Sequence, residues 1–455
     1  MSSLSRRTAL LAVATALLGG LLSGCEPSAP GPKFIGMHGD HTWDVDNTRI
    51  SSSLATEAAF GSKLTRNTLQ WNVAQPTPTT YNWAKSDYVV DQAVIRGLQV
   101  MFVVRAAPQW ANASTNPKVV PSDTAGFNAF VINYKNFFKT AVQRYGSRVK
   151  FWEVWTEPNQ NIYWQPNGLS PHTDQSRWID LYAQLYTDTV AAVRQVDKRV
   201  ELAVGSLAGI SGSCCIVAPV FVDGLIDRGV AFAAVAIQPH SLRNQAPWTT
   251  VQYENNFSDI QIMRDVLVFY GRPGVNLWVT EWGWQVAGYT SQGSTTTQLW
   301  VPGNFYRLAL WPNSGTVVVD GVARSYVSIN RSVSYDSDLN GTPEAHNLIT
   351  LSSPLPSPPA AKTEVANAVA EATQADYVRQ SIRMLRGKYV PQSGRPQQNY
   401  SYVALATYFQ NFDRTNSSAW GMYGLTHEPV PDFNNPGTWF LQGRAAAGAF
   451  LDETD

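Results

Sequence analysis

Between positions 34 and 284 the chain alternates between short apolar runs and stretches with helical spacing, and few architectures accept that rhythm. Phe34-Ile35-Gly36-Met37 and the runs 64–71, 98–105, 151–155, 200–205, 232–238 and 277–281 are rich in β-branched, aliphatic and aromatic residues. They read as buried strands. Between them, 51–60, 84–96, 125–145, 177–196, 216–228 and 259–270 carry apolar residues three and four apart, the spacing of a helix with one face on a core. Gly97 and Gly146 end two of these. Strand, helix, strand repeated in this way predicts a parallel sheet with crossover helices. A helix at 364–385, an eighth strand at 402–412 and a closing helix at 440–451 complete the count. The expectation is an α/β fold of the (β/α)8 TIM-barrel type, in which the C-terminal strand ends converge on one face. That convergence is expected to gather Arg66, Trp110, Glu157, His240 and Glu281.

The rhythm breaks between 286 and 362. Val317-Val318-Val319-Asp320-Gly321-Val322-Ala323-Arg324 has the Asp-Gly turn of a tight hairpin, and 353–359 is proline-rich. This segment reads as a β-rich insertion after strand 7, on the face where the strands end. The division is then 34–285 for the first seven strands, 286–362 for the insertion and 363–455 for the completion of the barrel. Within the insertion, Asp336-Ser337-Asp338-Leu339-Asn340-Gly341 matches the first half of a calcium loop. Asn347 stands where the bidentate glutamate would be, so an acidic turn is the expectation and no metal is assigned.

Residues 1–25 read as an export signal. Arg6 and Arg7 precede an apolar run from Ala9 to Leu22, and Leu22-Ser23-Gly24-Cys25 resembles a bacterial lipobox, which would make Cys25 the lipidated residue. Ser5-Arg6-Arg7 with Leu10-Leu11 also resembles a twin-arginine signal. Residues 26–33, with three prolines, would be a tether. The expected location is the cell surface or periplasm through a lipid anchor, or free secretion. Of the other cysteines, Cys214 and Cys215 are neighbours, and a strained bridge and two thiols both remain open.

Lys plus Arg equals Asp plus Glu, 34 each, so no basic surplus points to nucleic acid, and membrane contact is expected only through the anchor. The 16 tryptophans and 19 tyrosines are more informative. They suit flat stacking surfaces for sugars, though a large core also uses them. Two of the strands deliver a glutamate at the C-terminal end, Phe151-Trp152-Glu153-Val154-Trp155-Thr156-Glu157-Pro158-Asn159 and Leu277-Trp278-Val279-Thr280-Glu281-Trp282-Gly283-Trp284. Two carboxylates among tryptophans at strand ends fit glycoside hydrolysis. A retaining enzyme needs one carboxylic acid for the leaving oxygen and one carboxylate for the anomeric carbon, about 5–5.5 Å apart. No cofactor is required. His38-Gly39-Asp40-His41 after the first strand suits contacts to sugar hydroxyls better than a metal. Arg66, a cation on an apolar strand, is expected to pair with an active-site carboxylate or to form an ordinary buried ion pair. Trp110, Trp155, Trp164, Trp282 and Trp284 are candidate subsite walls, with the core as the alternative for each. Asp413, Trp420 and Tyr423 fall in the last loop.

These motifs, with Leu69-Gln70-Trp71 and Tyr81-Asn82-Trp83, make the chain resemble a clan A glycoside hydrolase, nearest in pattern to family 39 and its bacterial relatives. The resemblance covers most of 34–285 and resumes loosely from 365 to 450. It implies Glu157 as acid/base, Glu281 as nucleophile, Arg66 steadying the nucleophile and His240 lining the site. One residue departs from the pattern. The clan places Asn immediately before the acid/base, and this chain has Thr156, whose hydroxyl is shorter and offers one donor. Such a change implies a sugar with a different 2-configuration, a 2-modified sugar, or reduced activity. The function expected is retaining hydrolysis of an extracellular or cell-envelope polysaccharide. A polysaccharide-binding lipoprotein on the same barrel, and a transglycosylase, are the alternatives.

Overall fold

Eight parallel strands close into a barrel in the computed structural model, which describes residues 31–409 apart from 44–45, 210–214, 241–244, 251–254, 285–286, 303–307, 309, 320–321, 336–342, 362 and 394, together with 430–431, 439–440 and 445–454. The strands are β1 (Phe34–His38), β2 (Leu64–Gln70), β3 (Gln99–Arg105), β4 (Val149–Val154), β5 (Glu201–Ala208), β6 (Ala234–Gln238), β7 (Asn276–Trp282) and β8 (Val403–Phe409). They pair in chain order, and β8 closes against both β7 and β1. The helices on the outside are α1 (Asn47–Ala59), α2 (Ala84–Ile95), α3 (Thr124–Tyr145), α4 (Gln175–Arg194), α5 (Ala218–Asp227), α6 (Ile260–Phe269), α7 (Ala368–Leu385) and α8 (Ala445–Thr454). The expected (β/α)8 barrel is therefore the fold.

Strand periodicity separates two cores. On β4, Trp152 and Val154 join the large cluster beneath the helices, whereas Phe151 joins Leu64, Met101, Trp278 and Leu405 in a second cluster. Side chains two apart share a face, so Phe151 and Glu153 both point into the barrel. The apolar plug fills its lower half, and a polar layer lies above it toward the strand ends.

Two irregularities fall in that upper layer. Val279 and Trp282 on β7 face Ala406 and Tyr408 on β8, so β7 carries an extra residue around Glu281. Val204 and Leu207 on β5 face Val235 and Ile237, so β5 carries one around Ser206. Bulges of this kind re-aim a side chain at the cost of one ladder bond.

After β7 the chain forms a separate antiparallel six-stranded sheet with its own core of Leu299, Val301, Val317, Tyr326 and Ile349. Gly315–Val319 and Val322–Tyr335 pair with Val319 opposite Val322, which leaves a two-residue connection at the Asp-Gly position. The returning helix starts later than the sequence periodicity implies. Glu364–Ala366 is the last strand of the inserted sheet, and α7 begins only after Asn367, whose side chain accepts from Ala370 N. Residues 31–33, read as the end of a tether, run along β8, with Gly31 N donating to Ser401 O and Lys33 N to Ala404 O.

Candidate active site

Arg66 is the junction of the polar layer. Its guanidinium is buried, with 1 % of the residue exposed, and spends its donors on three strands. Nε donates to Glu153 Oε1 at 2.6 Å and Nη2 to Glu153 Oε2 at 3.0 Å, a bidentate pair. Nη1 donates to Glu281 Oε1 at 2.7 Å, and Nη2 also reaches Ser206 Oγ at 2.8 Å. Arg66 thus forms a buried ion pair with Glu153 and also reaches Glu281, the carboxylate expected at the active site. Ser206 Oγ donates in turn to Glu153 Oε2.

Glu281 accepts from both sides. Oε1 lies 3.1 Å from His38 Nδ1, and Oε2 lies 3.1 Å from His240 Nε2. His38 Nδ1 is also 2.6 Å from Arg66 Nη1, and His38 Nε2 is 3.1 Å from Asp40 Oδ2. Asp40 is itself fixed, with Oδ1 accepting from Thr68 N and Thr68 Oγ1. Burial works to raise the Glu281 carboxyl, but the charges of His38 and Arg66 and the His240 hydrogen bond outweigh it and hold it well below the usual carboxylate range. Burial likewise works against a charge on His38, and the Asp40 and Glu281 carboxylates overturn it and push His38 up.

Glu157 is held differently. Burial is the main cause that pushes its carboxyl up to about 8, and the negative charge of Glu281 adds to it. Its hydrogen-bond donor is Gln160 Nε2, to Oε2. The segment that presents it departs from ordinary strand geometry, with φ of 65° at Trp155 and 43° at Glu157. Left-handed backbone at non-glycine residues costs of order 1–3 kcal/mol each and survives only where the surroundings fix it. They do so here. Glu157 N donates to Ser206 O, and Trp178 Nε1 donates to Pro158 O at 2.6 Å. Asn159 Oδ1 accepts from Ala208 N and its amide donates to Ile216 O. Gly205 is required beneath this turn, because a Cβ there would meet Trp155 O at 2.4 Å. Glu-Pro-Asn therefore reads as one acid plus the two residues that anchor it.

The remaining sequence candidates divide. His38, Arg66, His240, Glu157 and Glu281 come together. Thr156 is buried at the edge of the layer, its Oγ1 3.5 Å from Ser206 Oγ. Trp110 is half-buried, its indole donating to Gln75 O and its ring edge-on to Trp71. Trp282 and Trp284 do not line a surface. Both are fully buried, packed on each other and on Phe257, and Trp284 Nε1 donates to Gln245 O. Residues that follow a strand-end glutamate by one and three positions turn toward the helices, which is the physical reason for this correction. Trp155 and Trp164 are likewise core, packed edge to face at 5.4 Å. Trp420, Asp413, Tyr423, Cys25, Cys214 and the 336–340 loop lie outside the described residues. Cys215 is buried beside Ala208 O.

Glu153 and Ser206 escaped the sequence reading. Glu153 was legible in principle, since a carboxylate two residues after Phe151 on an apolar strand needs a buried cation. Ser206 was not, because its orientation depends on the β5 bulge. Among the described residues no group of three His, Cys, Asp or Glu is arranged to hold a metal ion, and no helix is long and apolar enough to cross a membrane.

The family model of glycosyl hydrolase family 10 matches residues 33–298. Among solved structures, the chain is similar to a family 39 glycoside hydrolase from Bacteroides cellulosilyticus, with a TM-score of 0.53 at 14 % identity over 93 % of this chain. It spans 64 % of that enzyme's length. It is also similar to a family 10 endoxylanase from a sugarcane soil metagenome, with a TM-score of 0.50 and 12 % identity over 92 % of this chain and 96 % of the other. A monomeric β-xylosidase from Caulobacter crescentus gives 0.50 and 15 %, over 93 % and 68 %. The two families share clan A and its barrel, which is the level at which the sequence resemblance holds. The matching family model is that of family 10.

Proposed function

The chain belongs to glycosyl hydrolase family 10, and from that premise we propose that this glycoside hydrolase works by double displacement, with Glu157 as acid/base and Glu281 as nucleophile. The observation that carries the reading is the opposed state of the two carboxyls. Glu157 keeps its proton at neutral pH and Glu281 does not, which is the division of labour the chemistry needs. Glu157 donates its proton to the glycosidic oxygen as Glu281 attacks the anomeric carbon, so the C–O bond to the leaving group breaks and a glycosyl ester forms on Glu281. Water then attacks the same carbon. Glu157 takes the proton from that water, and Glu281 leaves as the carboxylate.

Arg66, His38 and His240 orient Glu281 and keep it ionised, and Arg66 is itself oriented by Glu153 and Ser206. They touch the nucleophile rather than the bond that breaks. Thr156 is the feature that favours the rival reading, a barrel that binds polysaccharide without turnover, because its hydroxyl lies toward Ser206. Export through residues 1–25 with lipidation at Cys25 completes the proposal, and it rests on the lipobox pattern alone. Loss of palmitate labelling in a Cys25→Ser chain tests it.

The decisive experiment is intact-protein mass spectrometry after incubation with activated 2-fluoro-glycosides. The endoxylanase and the β-xylosidase among the similar structures make xylosyl and xylobiosyl donors the first to try. An adduct mapped to Glu281 supports the mechanism. Hydrolysis of polysaccharide with inversion, or an adduct on another carboxylate, refutes it. Tight binding of polysaccharide with no adduct and no hydrolysis favours the binding protein.

A further inference from the structure

We propose that Arg105 and Lys118, set against the rings of Trp43 and Tyr163, form a subsite for a sugar that carries an anionic group, a hexuronate carboxylate being the best fit. The inference rests on the glycosidase reading for its place in a cleft, and it names the substrate class that the barrel would take. Arg105 is the last residue of β3, so it emerges on the face where the site residues converge. Its guanidinium lies 5.1 Å from the centre of the Trp43 ring and 4.8 Å from that of Tyr163, and Lys118 Nζ lies 5.1 Å from the same Tyr163 ring. Three loops therefore meet here, those after β1, β3 and β4.

The Lys118 and Tyr163 loops are joined by backbone. Gln165 N donates to Lys118 O, and Val119–Val120 pairs with Gln165–Pro166. Among the described residues, no carboxylate pairs with the side chain of either cation. The Glu157 carboxyl lies close enough to feel the Arg105 charge. It is protonated at neutral pH and leaves Arg105 unneutralised there. Two cations that pair with no carboxylate among the described residues, held at the rim of a carbohydrate cleft, attract an anion. A guanidinium clamped between ring faces is already positioned, so little side-chain freedom is lost when a planar carboxylate docks on its fork. Trp43 remains 45 % exposed, which leaves apolar surface for the pyranose ring itself.

The test reads binding in the Glu157→Gln chain, whose neutral amide matches the protonated acid. Oligogalacturonides, oligomannuronides and glucuronic-acid-substituted xylo-oligosaccharides are titrated by calorimetry, each beside its carboxyl-reduced neutral counterpart, with a sulfated neutral xylo-oligosaccharide as a further arm. The expected result is about five- to thirtyfold tighter binding of one acidic series than of its neutral counterpart, weakening as salt is added. The preference should shrink in Arg105→Gln and in Lys118→Gln, vanish in the double variant, and survive in part in Arg105→Lys. Preference for the sulfated sugar keeps the subsite and assigns it to sulfate esters. Equal binding of acidic and neutral sugars, no binding of any acidic member, or a preference that persists in the double variant overturns the proposal. Because no turnover is needed, a missing glycosyl adduct on Glu281 would remove the mechanism and leave the subsite. Hydrolysis of a neutral polysaccharide without acid preference would do the reverse.

Discussion

Replacing Glu157 by Gln should stabilise the protein, and the gain should grow with pH. In the folded chain the carboxyl titrates at about 8 against an ordinary 4.5, so between those values the folded state holds a proton that the unfolded state has released. Stability then falls as pH rises through that window. The full shift of 8 − 4.5, or 3.5 units, at 1.36 kcal/mol per unit, sets an upper bound of about 5 kcal/mol once pH exceeds 8. Glu157 is only part-buried, and water at the cleft mouth screens it, so a realistic penalty is about 1–3 kcal/mol. The amide keeps the shape and an acceptor for Gln160 Nε2, and it has no charge to desolvate. Denaturant melts of wild type and variant at about pH 4 and about pH 8.5 measure the difference. The two should nearly coincide in acid, and the variant should be the more stable in base. A gap that does not change with pH, or a variant less stable in base, would refute the assignment of a desolvated, protonated Glu157.

The same group should set the alkaline limb of the pH–rate profile, with kcat/KM falling above about 8; a limb that persists unchanged in a Gln160→Ala, Arg105→Gln background, where two of the three neighbours that lower this pKa are gone, would assign it elsewhere. Glu281→Gln should abolish turnover and, with the opposite sign, destabilise by about 1–3 kcal/mol at neutral pH. Because Glu281 is held below its ordinary 4.5, its contribution is present above that pH and lost below it, so calorimetric melts should converge in acid. Glu153→Ala leaves the Arg66 guanidinium buried without its bidentate partner and should cost about 3–5 kcal/mol; a loss under 1 kcal/mol in denaturant melts would mean that Glu281 alone suffices to balance that cation.

Much of this was legible from the sequence because the signal was periodic. Strands of apolar residues and helices with three- and four-residue spacing fixed the barrel, and the two strand-end glutamates stood out as charges at the limits of apolar runs. What escaped depended on departures from periodicity. The tryptophans after Glu281 read as sugar platforms, yet a bulge in β7 gives Glu281 to the cleft and leaves Trp282 and Trp284 in the wall. Glu364 to Ala366 read as the start of the helix that follows, yet they pair on both sides within the inserted sheet, and Asn367 caps the helix only after them. Arg105 gave no signal at all, because cation and ring faces come from three loops far apart in the chain.

Opposed surroundings explain why two like residues of one polar layer behave oppositely: burial dominates at Glu157, whereas His38, Arg66 and His240 outweigh it at Glu281. Glu153 neutralises Arg66 from below and fixes its plane, so the one remaining face of the fork is presented to Glu281. His38 and His240 close on the same carboxylate, and Asp40 in turn holds His38. Arg66, His38 and His240 thus reach Glu281, the other donors of the layer go to Glu153, Ser206 and Asp40, and among the described residues it is the amide of Gln160 that reaches Glu157. A carboxyl desolvated beside a fixed negative charge keeps its proton. The fixed negative charge of Glu281 thus adds to the burial that keeps Glu157 protonated, and a variant that removes the Arg66 charge should raise both carboxyls, because Arg66 is among the charges that hold each of them down.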